Sequence, residues 1–215
     1  ANGKPISIVH FAEAHQPMTR AQEIDDGVLL RPFESLATNF LTSRYYNGRQ
    51  IVDLLDTAEQ AEHWMRVLRA ALSGPSPFLP DKTQLDHLRV NRFQIEALYE
   101  KTVNETLDDP DVVAINDTLD ALQFSPRLRV GGTGSVGISW LRSDTADVAS
   151  DLIAAVSAAA IDTITGPRSR LLRRCHAPRC VLYFTQFDSR QHWCSNVCGN
   201  RARVARASEN KRRST

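Results

Sequence analysis

The stretch CHAPRCVLYFTQFDSRQHWCSNVCGNR, residues 175–201, holds all four cysteines of a 215-residue chain. They form a C-x4-C pair (Cys175, Cys180), then thirteen intervening residues, then a C-x3-C pair (Cys194, Cys198). Two close pairs joined by a short span suit a tetrahedral metal site, because each pair holds one edge and the span folds the edges together. Disulfides are the competing account, but they would staple nothing outside this segment and would need an oxidising compartment. Four independently buried thiols would not cluster. Four thiolates fit zinc best, with an iron–sulfur cluster as the remaining alternative.

The residues between and after the pairs suggest how the site is built. VLYFTQF (181–187), with a polar turn around 188–190, predicts a short hairpin between the two pairs. Ser195 stands where a helix N-cap belongs, which puts Cys198 in the first helical turn, where the positive end of the helix favours a thiolate. The result is a treble-clef-like finger that depends on its metal for stability. His176 and His192 lie close by and are expected to be surface or supporting groups rather than ligands. Further along, Val197 and Val204 share a helical stripe expected to pack on the finger. Arg203, Arg206 and Arg213 fall near the opposite face, with Arg201 and Arg212 to one side. These arginines, together with Lys211, are the candidate nucleic-acid contacts, since guanidinium pairs with phosphate and with guanine edges.

The net charge of +1 conceals an asymmetry. From residue 168 onward there are 12 basic and 2 acidic residues, so this segment carries +10, while residues 1–167 carry −9. A compact cationic segment attracts polyanions, and the acidic body does not. No run approaches the roughly 18–20 uninterrupted apolar residues of a membrane span, so no membrane partner is expected. The first residues lack a basic-then-apolar signal, and the chain reads as cytoplasmic.

The body, residues 1–167, reads as helical. Leu36, Phe40 and Leu41 share a face. Thr57 with Gln60 marks a capping pattern ahead of Ala61, Trp64, Leu68 and Leu72. Asp81 with Gln84 repeats it ahead of Leu85, Leu88, Ile95, Leu98 and Tyr99. Asp109 reads as an N-cap with Pro110 at the first helical position. One β element is expected, with RLRV and GISWL pairing across GGTGS. That glycine run is turn chemistry rather than a phosphate loop, because no Lys-Ser/Thr follows and a strand comes next. A last helix over about 144–164, carrying Val148, Leu152, Ile153, Val156 and Ala160, should stop at Gly166-Pro167. HFAEAH (His10, Glu13, His15) lacks the HExxH spacing of a metalloprotease, and no GxSxG or Walker motif occurs, so no enzyme is expected. The fold class is therefore mainly α with a small β-hairpin: a helical domain over 1–167 and a zinc finger over 168–215.

CHAPRC, WCSNVCGNR and the basic run after them resemble the CGNR zinc finger over 171–213. FESLATNFLTSR, DLLDTAEQAEHWM and the RLRV…GISW hairpin are similar to the ABATE domain over most of 30–165. The resemblance implies one zinc ion held by Cys175, Cys180, Cys194 and Cys198, a nucleic-acid-binding finger, and a stress-induced transcription regulator. The expected partner is DNA. The acidic body would then bind a small-molecule or protein effector, or form a homodimer that gains affinity on paired sites. The alternative is a finger that recognises protein or RNA.

Overall fold

The computed structural model describes residues 23–72, 77–123, 125–130, 136–141 and 147–213. The HFAEAH stretch, the GGTGS turn and the expected helix start at Asp144 lie outside the described residues. Two short antiparallel hairpins come first: β1 (Glu23–Asp25) with β2 (Val28–Leu30), and β3 (Arg44–Tyr46) with β4 (Ile51–Asp53). Between them, α1 (Leu36–Leu41) opens on Ser35, whose hydroxyl accepts the Thr38 N–H. The β3–β4 turn is closed by Asn47 Oδ1, which accepts from the N–H groups of Arg49 and Gln50. The body thus holds more β structure than the single expected hairpin, because three-residue strands are too short to show an alternating pattern.

The long helices follow their local signals. In α2 (Ala58–Leu72), Thr57 Oγ1 accepts the Gln60 N–H, and Ala61, Trp64 and Leu68 are buried. Leading into α3 (Lys82–Val103), Asp81 and Gln84 form a reciprocal capping box. The five residues expected on its inner side, Leu85 through Tyr99, are all buried. At α4 (Asp109–Ala121) the cap is one residue earlier than expected: Asp108, not Asp109, accepts the Asp111 N–H, and Asp111 reaches back to the Asp108 N–H. Either aspartate could cap in isolation, but only Asp108 has a carboxylate three residues on to complete the box. The strands β5 (Ser125–Val130) and β6 (Val136–Leu141) pair antiparallel, as expected.

The central element is α5 (Val148–Thr165), which opens on Asp147 and packs against α1, α3 and α4. Among the described helices it alone is long and apolar enough to cross a membrane. Leu152, Ile153, Val156 and Ala160 instead face the protein core, while Val148, at the first position, is exposed. It stops at Gly166, where a Cβ would stand 2.5 Å from the Asp162 carbonyl oxygen, so only glycine lets the chain turn away here.

After a 3-10 turn (Ser169–Leu171), β7 (Leu172–Arg174) pairs with β8 (Tyr183–Thr185), and α6 (Asn196–Arg213) ends the described chain. This hairpin does not lie between the cysteine pairs. Its strands straddle the first pair, so that 175–180 forms the turn and the Cys175 N–H donates to the Leu182 carbonyl. The strand partner of 183–185 is upstream because residues 188–191 close their own tight turn, with the Gln191 N–H on the Asp188 carbonyl.

The apolar core runs across residue 167 without a break: Leu172, Leu182, Tyr183 and Phe184 belong to the same cluster as Phe40, Trp64, Leu88 and Tyr99. At its centre is an ion pair with no solvent exposure, Arg31 Nη2 to Glu34 Oε1 at 2.9 Å. Arg31 Nη1 donates to the Tyr183 carbonyl (2.5 Å), and Nη2 lies 3.5 Å from the Cys194 carbonyl. Glu34 accepts from the Thr185 N–H (2.9 Å) and hydroxyl (2.7 Å). The backbone of Arg31 is fixed in turn by Asn39, through both its N–H and its carbonyl.

Removing one partner of such a pair strands the other charge in the core. Glu34→Gln should therefore lower unfolding free energy by about 3–5 kcal/mol, measured by urea denaturation, with body and finger still melting in one transition.

A second ion pair is read through pH. Burial raises the Asp53 carboxyl, but hydrogen bonds from Arg92 and the Leu55 N–H, with the charges of Arg92 and Arg44, hold it below the usual carboxylate range. Arg92 grips it with both nitrogens, at 2.6 and 2.5 Å. A depressed carboxyl contributes stability in full above its unfolded pKa and loses it as pH falls through the folded value. Asp53→Asn should be less stable than the parent at pH 7, and the gap should close below about pH 4 in thermal melts.

Candidate metal centre and its surroundings

The knuckle between β7 and β8 supplies Cys175 and Cys180. The segment leading into α6 supplies Cys194, and the first turn of α6 supplies Cys198. Ser195 caps that helix as expected, its hydroxyl accepting the Cys198 N–H at 3.2 Å. The four Sγ atoms all lie within 4.8 Å of one another, with separations of 3.8 Å for Cys180–Cys194, 3.4 Å for Cys194–Cys198 and 3.7 Å for Cys198–Cys180. A disulfide needs about 2.05 Å, so none of these contacts is one, and all four cysteines are free thiols. A tetrahedron of sulfurs around zinc at about 2.3 Å has edges of about 3.8 Å. The cluster therefore fits the ion in donor number, donor type and span.

Electrostatics points the same way. Hydrogen bonds from Cys175, Cys180 and Cys194 hold the Cys198 thiol far below its ordinary range, and those from Cys180 and Cys194 bring Cys175 down to about 7. The cost falls on Cys180 and Cys194, whose thiols are pushed up, first by their hydrogen bonds to Cys175 and further by burial. Four sulfurs this close cannot all be anionic unless a cation sits among them. One zinc ion supplies that charge and closes the finger. The Cys194 N–H, 3.4 Å from Cys175 Sγ, further supports the sulfur cage.

The residues after Cys198 explain their own order. Gly199 packs closely on Trp193: a Cβ here would stand 3.0 Å from its Cδ1, so a side chain would have to push the indole aside by a few tenths of an ångström. Asn200 Oδ1 accepts from Arg203. Arg201, expected among the nucleic-acid contacts, is turned inward: its Nη2 donates to Cys198 Sγ at 3.2 Å, and its guanidinium lies 4.7 Å from the Tyr46 ring centroid. A thiolate and an aromatic face both attract the cation and offset its desolvation in part, while Arg201 Nε is buried without a hydrogen-bond partner. Arg179 covers the same ring at 5.7 Å, so Tyr46 joins the β3 strand to both ends of the metal site.

The outer face of α6 reverses an expectation. Val197 and Val204 are 63% and 66% exposed, and the helix packs through Cys198, Gly199 and Ala202 instead. The metal decides this: Cys198 must face the ion, which rotates the valine stripe outward. Arg203, Arg206, Lys211, Arg212 and Arg213 are exposed. Arg206 lies over the Trp193 ring at 5.6 Å. Neither His176 nor His192 joins the sulfur cluster; both are exposed beside it.

A knuckle, a hairpin and a helix presenting four sulfurs to one ion define a structural zinc finger fused to a helical body. The family described as "Putative stress-induced transcription regulator" (ABATE) matches residues 34–167, and the CGNR zinc finger matches residues 171–211. The chain belongs to the ABATE family and carries a CGNR zinc finger. Comparison with curated proteins returned no match. Both matched families are regulatory or zinc-binding rather than enzymatic. Arg31, Glu34 and Tyr46, which tie the finger to the body, were not among the candidates from sequence. Their only early signal was a charged pair set in the apolar stretch VLLRPFESLA.

Cys198→Ser should reduce zinc from one equivalent per chain to a substoichiometric level by elemental analysis. Because the finger shares the body's core, it should also lower the thermal midpoint of the whole chain.

Proposed function

We propose that the protein is a cytoplasmic, zinc-dependent DNA-binding regulator, not an enzyme, in which Arg203, Arg206, Lys211, Arg212 and Arg213 contact phosphates. Arg201 acts indirectly by steadying Cys198. The observation that carries this reading is a helix fixed at its start by the metal centre, with exposed basic residues along the rest of its length, in a segment of charge +10. Such a helix meets a polyanion with its backbone already ordered, so a phosphate contact costs only the rotamer freedom of the side chain that makes it. The acidic body, at −9, lacks this attraction and is the part free to receive an effector or a second copy.

A second reading, recognition of a protein partner, draws on the exposed Val197 and Val204, which a phosphate surface does not need. The two readings differ in salt dependence. Phosphate binding releases counterions, so affinity for a DNA duplex should fall about 500-fold between 50 and 200 mM salt for the five phosphate contacts. Changing Arg203, Arg206 and Arg213 together to Ala should reduce the log–log salt slope by about 3. Fluorescence anisotropy titrations measure both. Absence of binding at low salt, or a slope unchanged by the triple substitution, rejects DNA contact through α6 and leaves the protein-partner reading.

A further inference from the structure

A cleft of about 410 Å³ opens beside the metal centre, lined by His176, His192, Trp193 and Arg206. Its volume falls in the range of small-molecule sites, roughly 300–1,000 Å³. We propose that this cleft holds one unpaired DNA nucleotide, its base stacked on Trp193 and its phosphate met by Arg206. The proposal rests on the DNA-binding reading and specifies what the finger does with the strand.

Four observations support it. First, the indole is a rigid wall. Trp193 precedes a metal ligand, and its pyrrole edge lies close against the backbone of Gly199, where a Cβ would stand 3.0 Å from Cδ1. Second, the rotation that turns Val197 and Val204 outward brings the arginine side of α6 back over the finger, which places the Arg206 guanidinium 5.6 Å from the indole centroid. The guanidinium lies over the indole ring, so an entering base meets two planar groups on which bases stack, and the cation stays in reach of its phosphate. Third, the remaining walls are exposed imidazoles, flat groups that hydrogen-bond, and among the described residues no carboxylate lines the cleft. Fourth, His176, His192 and Trp193 each lie within two residues of a zinc ligand, so the metal shapes the cleft. A duplex interior offers no free base face, so the occupant is an unpaired or extruded nucleotide. Stacking also tolerates any base, which suits a cleft without a fixed donor–acceptor pattern.

The test uses the zinc-loaded full chain and three labelled DNAs of equal length: a thymine-rich single strand, the same strand made abasic, and a duplex. The base-bearing strand should bind roughly tenfold tighter than the abasic one, the loss expected for one base stack. Trp193→Leu should bring that ratio close to one at unchanged zinc content, and Trp193→Phe should keep most of it. Should Trp193→Leu lose zinc, the surface double variant His176→Ala/His192→Ala carries the test, and a several-fold fall in the ratio is expected. Equal binding of base-bearing and abasic strands by the parent overturns the proposal. So does a ratio indifferent to Trp193→Leu or, where that variant loses zinc, to the double variant. If duplex and abasic strand still bind with steep salt dependence, the cleft assignment alone falls. If none of the three binds at low salt, the DNA-binding reading falls with it.

Discussion

The guanidinium of Arg31 sits with the carboxylate of Glu34 in a space from which water is wholly excluded. Taking two charges out of water costs several kcal/mol per ion, and their mutual attraction offsets that only when the remaining donors and acceptors are also satisfied. Here both Nη atoms and both carboxylate oxygens are satisfied, largely from the other side of the molecule, by the Tyr183 carbonyl and the Thr185 N–H and hydroxyl, and of the pair's polar atoms Arg31 Nε alone is buried without a partner. The pair therefore favours one docking of finger on body: a shift of a single residue along β8 would leave the two charges facing each other but without the carbonyl, N–H and hydroxyl that the finger supplies. Apolar burial around Tyr99 and Tyr183 supplies attraction between the halves, and the ion pair supplies the register.

That register reaches the metal. Arg31 also approaches the Cys194 carbonyl, and Tyr46 lies under Arg179 from the knuckle and Arg201 from α6. The zinc site is held by its four sulfurs and also by the body behind it. Small zinc modules usually depend on the ion for most of their fold. In this chain part of that task passes to a shared core, which gives the acidic body a mechanical route to the orientation of α6.

Local signals were legible in the sequence, and non-local ones were not. The Thr57, Asp81 and Ser195 caps and the cysteine spacing are short-range chemistry, and each stands where the residues place it. The Asp108 cap was missed by one position because adjacent aspartates offer the same side chain, and only the reciprocal partner separates them. The β1–β2 and β3–β4 hairpins are held by tight turns and tertiary contacts more than by any pattern in their three-residue strands. The partners that Arg31 and Glu34 find in the finger lie about 150 residues away, a separation that no window of sequence spans.

The misjudged face of α6 is the most instructive case. Helical periodicity identified two stripes, valine and arginine, and the hydrophobic effect assigned the valines inward. Coordination outweighs that assignment. Two exposed valines forfeit about 1.5–3 kcal/mol each, whereas a structural zinc contributes on the order of 10 kcal/mol, and it requires Cys198 on the inner face. Once Cys198 points in, Gly199 must follow against Trp193, and Arg206, seven residues further along, returns to the same side of the helix. The position of the cationic side chain over the indole is thus a consequence of metal geometry rather than of amphipathic packing, and the ion that stabilises the finger also aims its arginine.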